Sequence, residues 1–547
     1  MKPRAMAADD TNQPPPYEGR NLYLADRALR AAVERGGAAW SHSRLEEWGA
    51  ALGSAELSAL AARANRFGPE LRTHDRFGNR IDEIGFDPAW HEILMLAMIE
   101  GEHASPWIEA RAGAQVARAA AYLMHAQIEN GTQCPLTMTF AAVPLLRRHA
   151  GAIPWLADEW LPRILSRDYD PRALPVTQKA SALIGMGMTE RQGGSDVRAN
   201  TTRAEPVGGN EYRLTGHKWF FSAPMCDAHL VLAQAPKGLS CFFLPRVLPD
   251  GARNAVRLQR LKEKLGNRSN ASCEVEFAGA AGWLLGDEGR GVQVIIEMVQ
   301  HTRLDCAIGS AGIVKSAAAQ ALHHAQHRRA FGHPLAEQPL MQNVLADLAI
   351  EAEAAAASAL RLASTFEANA DEAEAALSRL ATPALKYWLC KRAPMVVAEA
   401  IEVLGGNAYV EESALPRLYR EAPLNSIWEG SGNIMCLDVL RAARREPNAV
   451  AALLDELALA SGGDARLDRH IARLGATFSD GTLDEAGARR LASDVALALA
   501  AALLVRNAAP AVADAFCASR FGESYSGALG TLPSGVDCAG VLTQAGG

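Results

Sequence analysis

The sequence predicts an α+β protein in which a helical region is followed by a β domain and then by a bundle of helices. The hydrophobic spacing is helical in the N-terminal part, changes to short runs of β-forming residues near Ser181, and becomes helical again after Gly289. With 547 residues, the chain is long enough for several domains. We therefore expect a multidomain fold with one central β domain.

The composition is typical of a globular protein, because 49% of the residues are hydrophobic and 21% are charged. A formal net charge of -7 gives the whole chain no general attraction for nucleic acids or anionic membranes, so any such surface has to be local. The nine cysteines include no Cys-x-x-Cys pair, which argues against a zinc cluster and for reduced thiols. Without an N-terminal apolar segment or an apolar run of bilayer length, we expect a cytoplasmic protein with no membrane span.

The N-terminal region is predicted to begin with an extended arm. Residues 1–20 are rich in proline and polar residues, which predicts a surface or inter-subunit strap. From 21 to 180 the apolar spacing is mostly helical, as in 28–33 and 93–99, and prolines stand near the expected helix starts. Residues 21–180 are therefore predicted to form an N-terminal helical domain.

The middle region, residues 181–285, is predicted to form a β-barrel or β-sandwich. Its short runs of β-forming residues, such as 212–214, 229–233 and 273–277, are bounded by glycine, proline and asparagine. The Gly208-Gly209-Asn210 sequence between two such runs is typical of a hairpin turn.

Long helical segments are predicted for the rest of the chain. Residues 286–446 should form an antiparallel bundle, with helices at 292–329, 340–368, 372–381, 384–404 and 434–445. Residues 447–547 are rich in alanine, with helical patches at 450–460 and 491–505, and are predicted to form an appended C-terminal helical domain.

The segment from Asn425 to Met435, Asn-Ser-Ile-Trp-Glu-Gly-Ser-Gly-Asn-Ile-Met, is a candidate catalytic site. It places Glu429 between the apolar Trp428 and two glycines that let the backbone approach a flat ligand. Desolvation beside an indole disfavours the charged carboxylate and raises its pKa toward the range of a general base. The same residues also suit a simpler role, in which Ser431 N-caps a helix and the glycines form a turn.

Four further motifs offer groups that suit a cofactor. The glycine-rich loop 186–196 exposes backbone N–H and hydroxyl groups, and residues 216–222 contain three adjacent aromatics able to line a planar ligand. Segments 328–332 and 404–409 lie at expected helix ends, where arginine and exposed N–H groups suit a diphosphate. Each motif alone is also compatible with a surface turn, a β core or a helix C-cap.

His323, His324 and His327 lie on one predicted helix, where positions four apart share a face. No neighbouring carboxylate or cysteine completes a ligand set, so we expect solvated or interface histidines and no metal site. The sequence also lacks the glycine pattern of a Rossmann dinucleotide site and the P-loop pattern.

Taken in order, these motifs resemble the acyl-CoA dehydrogenase family across residues 181–445. The motifs are Thr-Glu-x-x-Gly-Gly-Ser-Asp, Gly-x-Lys with aromatics, Arg-x-x-Phe-Gly, Leu-Gly-Gly-Asn and Trp-Glu-Gly-Ser. Segments 216–227, 264–272 and 425–440, together with the extra C-terminal region, resemble the alkylation-response flavoproteins of that family over almost the whole chain. The resemblance implies an acyl-CoA dehydrogenase-like fold and a homotetramer formed through the helical bundle.

By this resemblance, FAD is the cofactor. Phe220 and Ser222 are implied to cover the flavin ring, while Arg328 and Phe331 are implied to come from a neighbouring subunit. The full implied set of FAD-binding residues is Met186, Met188, Thr189, Gly194, Ser195, Phe220, Phe221, Ser222, Arg328, Phe331, Gly406, Ser431 and Asn433.

Glu429 falls at the catalytic base position of the family, and Trp428 and Arg303 are implied to line the substrate pocket. The implied reaction is removal of the α-proton of an acyl-CoA thioester with hydride transfer to flavin N5, followed by electron transfer to an accepting flavoprotein. Glu402 stands where the family commonly has a glutamine near the diphosphate. Trp428 replaces a smaller aromatic residue, which implies a narrowed acyl pocket. The resemblance itself implies that turnover of short branched-chain acyl-CoA is weak.

A function from another class stays open: a flavoprotein of the response to alkylation damage that binds double-stranded DNA, with little or no dehydrogenase activity. From Arg441 to Gly547 there are ten arginines, no lysine and twelve acidic residues, so the balance is 10 minus 12, or -2. Clustered arginines suit phosphate contacts despite that balance, whereas pairing with neighbouring acids would make them an ordinary solvated surface. The candidate DNA-binding residues are Arg441, Arg444, Arg445, Arg466, Arg469 and Arg473.

Overall fold

The computed structural model describes residues 12–153, 155–480, 483–522 and 526–545. The helices and strands as far as residue 285 are α1 (Arg27–Arg35), α2 (His42–Leu52), α3 (Ala55–Arg66), β1 (Glu70–His74), β2 (Arg80–Gly85), α4 (Pro88–Glu100), α5 (Ser105–Ile108), α6 (Ala114–His125), α7 (Gln133–His149), α8 (Leu161–Ile164), β3 (Ile184–Gly187), β4 (Arg203–Gly208), β5 (Glu211–Ser222), β6 (Ala228–Ala235), β7 (Gly238–Pro245), β8 (Val256–Leu261) and β9 (Ser272–Leu285).

The remaining elements are mostly helical. They are α9 (Gly291–His327), β10 (Arg329–Ala330), β11 (His333–Pro334), α10 (Pro339–Ser364), α11 (Glu372–Leu404), α12 (Leu415–Glu421), α13 (Gly432–Arg445), α14 (Pro447–Ala458), α15 (Ala465–Ser479), α16 (Ala488–Asn507), α17 (Pro510–Arg520) and α18 (Cys538–Ala545). Among the residues that the structure describes, no helix combines the length and the apolar character needed to cross a membrane.

The chain divides into two compact units. We call Ala59–Ala114 with Glu129–Asp305 the sheet unit, and Met1–Ser58, Gln115–Ile128 and Cys306–Gly547 the bundle unit. Residues of the predicted N-terminal helical domain therefore contribute to both units.

Five strands of the sheet unit close into a β-barrel. The seven-stranded sheet has the order β3-β6-β4-β5-β9-β7, and β8 pairs with β9. Because β7 also pairs with β6, the strands β4, β5, β9, β7 and β6 close into a ring. Closure removes free edges from the strands of the ring. The β domain predicted for the middle of the chain is confirmed.

The core of the barrel is apolar because side chains alternate between the two faces of a strand. Along β5, Tyr212 and Leu214 are buried while Arg213 and Thr215 are exposed. The buried cluster consists of Ala204, Tyr212, Leu214, Phe221, Val231, Ala233, Phe242, Leu244, Leu258, Cys273, Val275, Phe277 and Ala280.

A β-hairpin, formed by β1 and β2, lies within the region that was predicted to be helical. Asp75 Oδ1 accepts hydrogen bonds from the backbone N–H groups of Phe77 and Asn79, which closes the turn. Leu71 and Ile84 pack against the barrel core. The mostly helical pattern of this region did not predict the hairpin, because its two strands are short and only half-buried.

Helix α11 is the central element of the bundle unit and packs against α10, α13, α14 and α16. The sequence predicted two helices separated at Pro383, but α11 is continuous and contains both Pro383 and Pro394. A proline removes one helical hydrogen bond and crowds the preceding turn. Pro383 is buried, and packing against the neighbouring helices favours continuation of the helix.

The helices after residue 447 belong to the same compact unit as the bundle, and their description as an appended domain stays a prediction. Arg520, at the end of α17, forms ion pairs with Asp347 and with Glu351 of α10, the latter at 2.7 Å, and all three side chains are buried. The backbone N–H of Gly530 also donates to Asp347 at 2.8 Å. These contacts attach the C-terminal segment to α10.

The N-terminal arm lies along the bundle unit of its own chain from Asn12 onward. The carbonyl of Asn12 accepts a hydrogen bond from Arg328, and the carbonyl of Pro15 lies 2.9 Å from His323 Nε2. Arg20 lies 2.8 Å from the other ring nitrogen of His323. His323 is therefore a buried contact of the arm, not a solvated residue, and no group of metal-ligating side chains occurs in the described ranges. The part of the predicted arm before Asn12 lies outside the described residues.

Candidate active site

Glu429 lies in a tight turn of the bundle unit, between the 3-10 turn Leu424–Ser426 and helix α13. Its φ is 58°, and that of Gly430 is 109°. The left-handed conformation is unfavourable for a residue with a Cβ by roughly 1–2 kcal/mol. The surrounding contacts must therefore hold the backbone at Glu429.

Lys386 of α11 supplies two of these contacts. Its Nζ donates to the backbone carbonyl of Trp428 at 2.9 Å and to the backbone carbonyl of Gly430. Lys386 is only 1% exposed, so these carbonyls take the place of water around its charge. The turn is thus bound to α11 both before and after Glu429.

Further hydrogen bonds fix the residues that precede Glu429. Trp428 Nε1 donates to Asn425 Oδ1 at 2.8 Å, and Asn425 Nδ2 donates to Ser310 Oγ of α9 at 3.1 Å. Ser426 Oγ donates to the carbonyl of Cys390 in α11 at 2.8 Å. The indole next to Glu429 therefore has a fixed orientation.

Ser431 and Asn433 follow Glu429 at the start of α13. Ser431 occupies the N-cap position, as the simpler interpretation expected, but its side chain makes no capping hydrogen bond. Asn433 Oδ1 accepts from Arg489 Nε at 2.9 Å, which leaves the amide NH₂ as its donor group. The structure thus places Glu429, Ser431 and Asn433 within one turn.

In the sheet unit, the glycine-rich loop after β3 is held by a buried ion pair. Lys218 Nζ lies 2.9 Å from Glu190 Oε1, and Glu190 also accepts hydrogen bonds from the backbone of Thr201 and Thr202. Burial alone raises the pKa of Glu190, but the Lys218 charge and the hydrogen bonds outweigh this effect and lower the pKa to about 2. Burial lowers the pKa of Lys218 to about 8 in spite of Glu190.

The residues of this loop differ in exposure. Met186 is buried in β3, Met188 and Thr189 are partly buried, and Gly194 and Ser195 are exposed. A Cβ at Gly194 would lie 2.5 Å from Thr189 Oγ1, so a larger residue at this position would displace the side chain of Thr189. The carbonyl of Thr189 accepts from the N–H of residue 219 at 2.9 Å, which places the loop beside the aromatic end of β5.

The aromatic residues at the end of β5 point in different directions. Phe220 is 53% exposed, whereas Phe221 has no exposed surface and lies in the barrel core, 4.2 Å from the ring of His229. Neighbouring barrel residues cover the ring of Phe221, and its role in FAD binding stays a prediction. Ser222 is partly buried and pairs with Ser272 of β9.

Arg328 and Phe331 lie where α9 ends in the bundle unit. The guanidinium of Arg328 donates to the carbonyl of Asn12. Phe331 has a φ of 55° and is 95% exposed. Gly406 is exposed in the turn after α11, and Glu402 is exposed in the last turn of that helix.

Arg303 of α9, expected to line the substrate pocket, belongs to the sheet unit and is 5% exposed. Trp428, the other expected pocket residue, belongs to the bundle unit and is partly buried. The role of both residues in substrate binding stays a prediction.

The candidate DNA-binding arginines differ in their ion pairs and in their exposure. Arg466 pairs with Asp464 at 2.5 Å and with Asp514 at 2.7 Å. Two carboxylates therefore bind its guanidinium, which favours a structural role, and its role as a phosphate contact stays a prediction. Arg441 lies 3.4 Å from Asp438. The candidates with exposed side chains are Arg441, Arg444, Arg445, Arg469 and Arg473.

Comparison with known proteins identifies the family. Residues 12–171 match the adaptive response protein AidB N-terminal domain, 185–280 the acyl-CoA dehydrogenase middle domain, and 289–443 the acyl-CoA dehydrogenase C-terminal domain. The chain is 50% identical to Escherichia coli (strain K12) AidB over 507 residues, which cover 92% of this chain and 93% of AidB. The chain belongs to the acyl-CoA dehydrogenase family. The predicted resemblance to AidB-type members of the family is confirmed.

Solved structures of acyl-CoA dehydrogenases share the fold. Caenorhabditis elegans ACDH-11 in complex with C11-CoA has a TM-score of 0.84 at 26% identity, covering 94% of this chain and 93% of that one. The Bacillus anthracis acyl-CoA dehydrogenase complexed with FAD has a TM-score of 0.63 at 18% identity, covering 84% and 86% of the two chains. The predicted acyl-CoA dehydrogenase-like fold is confirmed, and the expected FAD cofactor agrees with membership in this family.

Sequence reasoning missed Lys386 and the Glu190–Lys218 ion pair. Lys386 stands in an alanine- and leucine-rich helix, and no local pattern separates it from a surface lysine. Glu190 and Lys218 each lie inside a recognised motif, so the motifs located these residues but gave no sign of their pairing.

Proposed function

We propose that this chain is an FAD-dependent acyl-CoA oxidoreductase of AidB type, in which Glu429 is the general base. The observation that carries the proposal is the turn at Glu429, where Lys386 binds the carbonyls of Trp428 and Gly430. A base held in one orientation reacts faster with a bound substrate than a mobile one, because less orientational freedom is lost on the way to the transition state.

The groups around the predicted cofactor residues suit FAD. In the sheet unit, the loop at 188–196 offers backbone N–H groups and the exposed hydroxyl of Ser195, beside the exposed ring of Phe220. In the bundle unit, Ser431 offers a hydroxyl without a capping bond, and Asn433 offers an amide donor. When bound, FAD supplies the two-electron oxidation of the α–β carbon bond of the substrate.

Glu429 acts as the proton acceptor in this proposal. The acidic α-proton of an acyl-CoA thioester moves to a carboxylate oxygen of Glu429, which becomes a carboxylic acid. Trp428 limits the volume beside the base, because its indole is tied to Asn425 at 2.8 Å. We propose short branched-chain acyl-CoA thioesters as substrates with weak turnover, and a flavoprotein as the electron acceptor.

We also propose a homotetramer. Phe331 is 95% exposed at the end of α9, and burial of such a large apolar ring favours contact with a second copy of the chain. Arg328 and Phe331 would then complete the FAD site of that copy.

The test is anaerobic mixing of the purified protein with a panel of acyl-CoA thioesters while the flavin absorbance is recorded. Bleaching is expected for the parent, and Glu429→Gln should retain FAD but not bleach, since an amide accepts no proton. Glu412→Gln, an exposed glutamate of the same unit, is the matched control and should bleach at the parent rate. A protein that cannot be reconstituted with FAD, or bleaching of Glu429→Gln at the parent rate, contradicts the proposal.

A second candidate function is binding to double-stranded DNA in the response to alkylation damage. The observation that favours it is the exposure of Arg444 and Arg445 on α13 and of Arg469 and Arg473 on α15. Arginine suits phosphate contacts because its planar group donates several hydrogen bonds. The overall charge of -2 after residue 440 limits this binding to a weak, local contact.

A further inference from the structure

Lys386 connects the middle of α11 to the turn that carries Glu429. The side chain is 1% exposed, and its Nζ donates to the carbonyl of Trp428 at 2.9 Å and to the carbonyl of Gly430. The Trp428 carbonyl directly precedes Glu429, and the Gly430 carbonyl comes one residue after it. One ammonium group therefore fixes the main chain on both sides of the carboxylate.

Two further contacts hold the first part of the turn. Ser426 bonds to the carbonyl of Cys390, and Trp428 bonds to Asn425, but these groups all precede Glu429. Lys386 reaches past Glu429 to Gly430. Because Lys386 and Cys390 are four residues apart, both contacts come from the same face of α11.

The two Lys386 bonds bracket the unusual backbone of the turn. Glu429 and Gly430 have φ values of 58° and 109°, both in the left-handed region. The φ of Glu429 determines the direction of its Cα–Cβ bond and hence where its carboxylate lies. Hydrogen bonds from a charged donor are shorter and stronger than neutral ones, so they are well suited to hold such a conformation against relaxation.

We infer that Lys386 is a positioning residue that sets the orientation of Glu429 through the main chain. The inference rests on the proposed function for its catalytic consequence, but not for the effect on the turn itself. Lys386 needs no contact with the substrate or the cofactor for this role. Its loss should change how fast the base reacts more than how tightly acyl-CoA binds.

The first test measures the turn without any substrate. Hydrogen–deuterium exchange is followed for peptides that cover residues 424–432 in the parent, Lys386→Met and Lys386→Arg. We expect Lys386→Met to exchange at least about tenfold faster in this segment. Lys386→Arg should restore much of the protection, because a guanidinium can also donate to two carbonyls.

Lys179→Met is the matched control. Lys179 is a buried lysine of the sheet unit whose Nζ donates to the carbonyls of Asp170 and Arg172 at 2.7 and 2.5 Å. Its Nζ also lies 3.0 Å from Asp227 Oδ1, so the control removes an ion pair as well. Lys179→Met removes a buried lysine that donates to backbone carbonyls in the sheet unit, and it should leave exchange at 424–432 unchanged. If Lys386→Met does not fold, Lys386→Gln keeps a polar side chain in the buried position and is measured in the same way.

The second test measures flavin reduction by the acyl-CoA that bleaches the parent best. For Lys386→Met we expect the maximal reduction rate to fall by about 100-fold, with FAD content and half-saturating acyl-CoA concentration close to the parent values. Lys386→Arg should recover most of the rate.

Unchanged exchange at 424–432 in Lys386→Met, or a parent-like reduction rate, would overturn the inference. If the parent itself never bleaches while exchange still rises in the variant, the positioning of the turn stands and the proposed reaction fails.

Discussion

The ammonium of Lys218 lies 2.9 Å from the carboxylate of Glu190, and both side chains are completely buried. Replacing Lys218 by methionine keeps the shape of the side chain but leaves Glu190 as an unpaired buried charge. We expect Lys218→Met to lower the free energy of unfolding by about 3–5 kcal/mol, measured by urea denaturation. The exposed pair Arg213–Glu211 of the same strand provides the control, since Arg213→Met should cost less than about 1 kcal/mol. Equal effects of the two changes would contradict this prediction.

The same ion pair predicts how the stability of the protein depends on pH. The pKa of Glu190 falls from an ordinary value of 4.5 to about 2 in the folded protein. Its contribution to stability is therefore fully present above 4.5 and is lost as the pH falls toward 2. The melting temperature of the parent should exceed that of Glu190→Gln at neutral pH, and the difference should shrink across the acid range. A difference that stays constant down to about pH 2 would exclude Glu190 as its source.

The sequence predicts the barrel and the long helices because their hydrophobic periods are clear, yet it does not predict which aromatic of β5 faces the core. Strict alternation from Tyr212 through Leu214 would bury Phe220 and expose Phe221. The pairing of β5 with β9 shifts register between Lys218 and Phe221, and this irregularity reverses the alternation. Such a bulge depends on the neighbouring strand and has no local sequence signal.

The candidate site was predictable only where its residues are close together in the chain. The segment with Glu429, Ser431 and Asn433 forms one turn, so its motif was sufficient to locate it. Lys386 and Ser310 reach this turn from other helices through tertiary packing. Their roles depend on which helix faces pack together, and hydrophobic spacing in a single sequence does not determine that arrangement.

Arg520 is expected to hold the C-terminal segment on α10. Its guanidinium binds Asp347 and Glu351, and all three side chains are buried. Burial raises the pKa of Glu351, but Arg392 and Arg520 outweigh that effect and lower the pKa to about 2. Arg520→Met should therefore leave buried negative charge and destabilise the segment by about 3–5 kcal/mol. Limited proteolysis should then cut first within residues 510–545, whereas the exposed control Arg445→Met should be cleaved like the parent.

Trp428 is expected to restrict the acyl chain. Trp428→Phe removes part of the ring and the hydrogen bond to the buried Asn425, so a loss of about 1–3 kcal/mol in stability is expected. The larger space beside Glu429 should raise the rate of flavin reduction by longer acyl chains relative to short ones. Trp40→Phe, at a half-exposed position of the same unit, serves as the control. A chain-length preference identical to that of the parent would show that Trp428 does not line the pocket.

Binding to double-stranded DNA is predicted to be weak, independent of sequence and dependent on Arg469 and Arg473. Both arginines are exposed on α15, four residues apart on one helix face. Each phosphate contact contributes roughly 0.9 to the slope of log affinity against log salt. Arg469→Glu with Arg473→Glu should therefore weaken binding and reduce that slope by up to about 2.

The control for this double change must alter the net charge equally without touching α15. Arg203 and Arg257 are exposed on strands β4 and β8 of the sheet unit, and reversing both gives the same change in charge. Labelled duplex is titrated at low and moderate salt with all three proteins, and flavin content is checked in each. If α15 contacts the phosphates, its double variant should lose more affinity than the control, because local contacts act in addition to the general charge. Equal losses would assign the binding to net charge alone, and no binding at low salt would remove the DNA function from this protein.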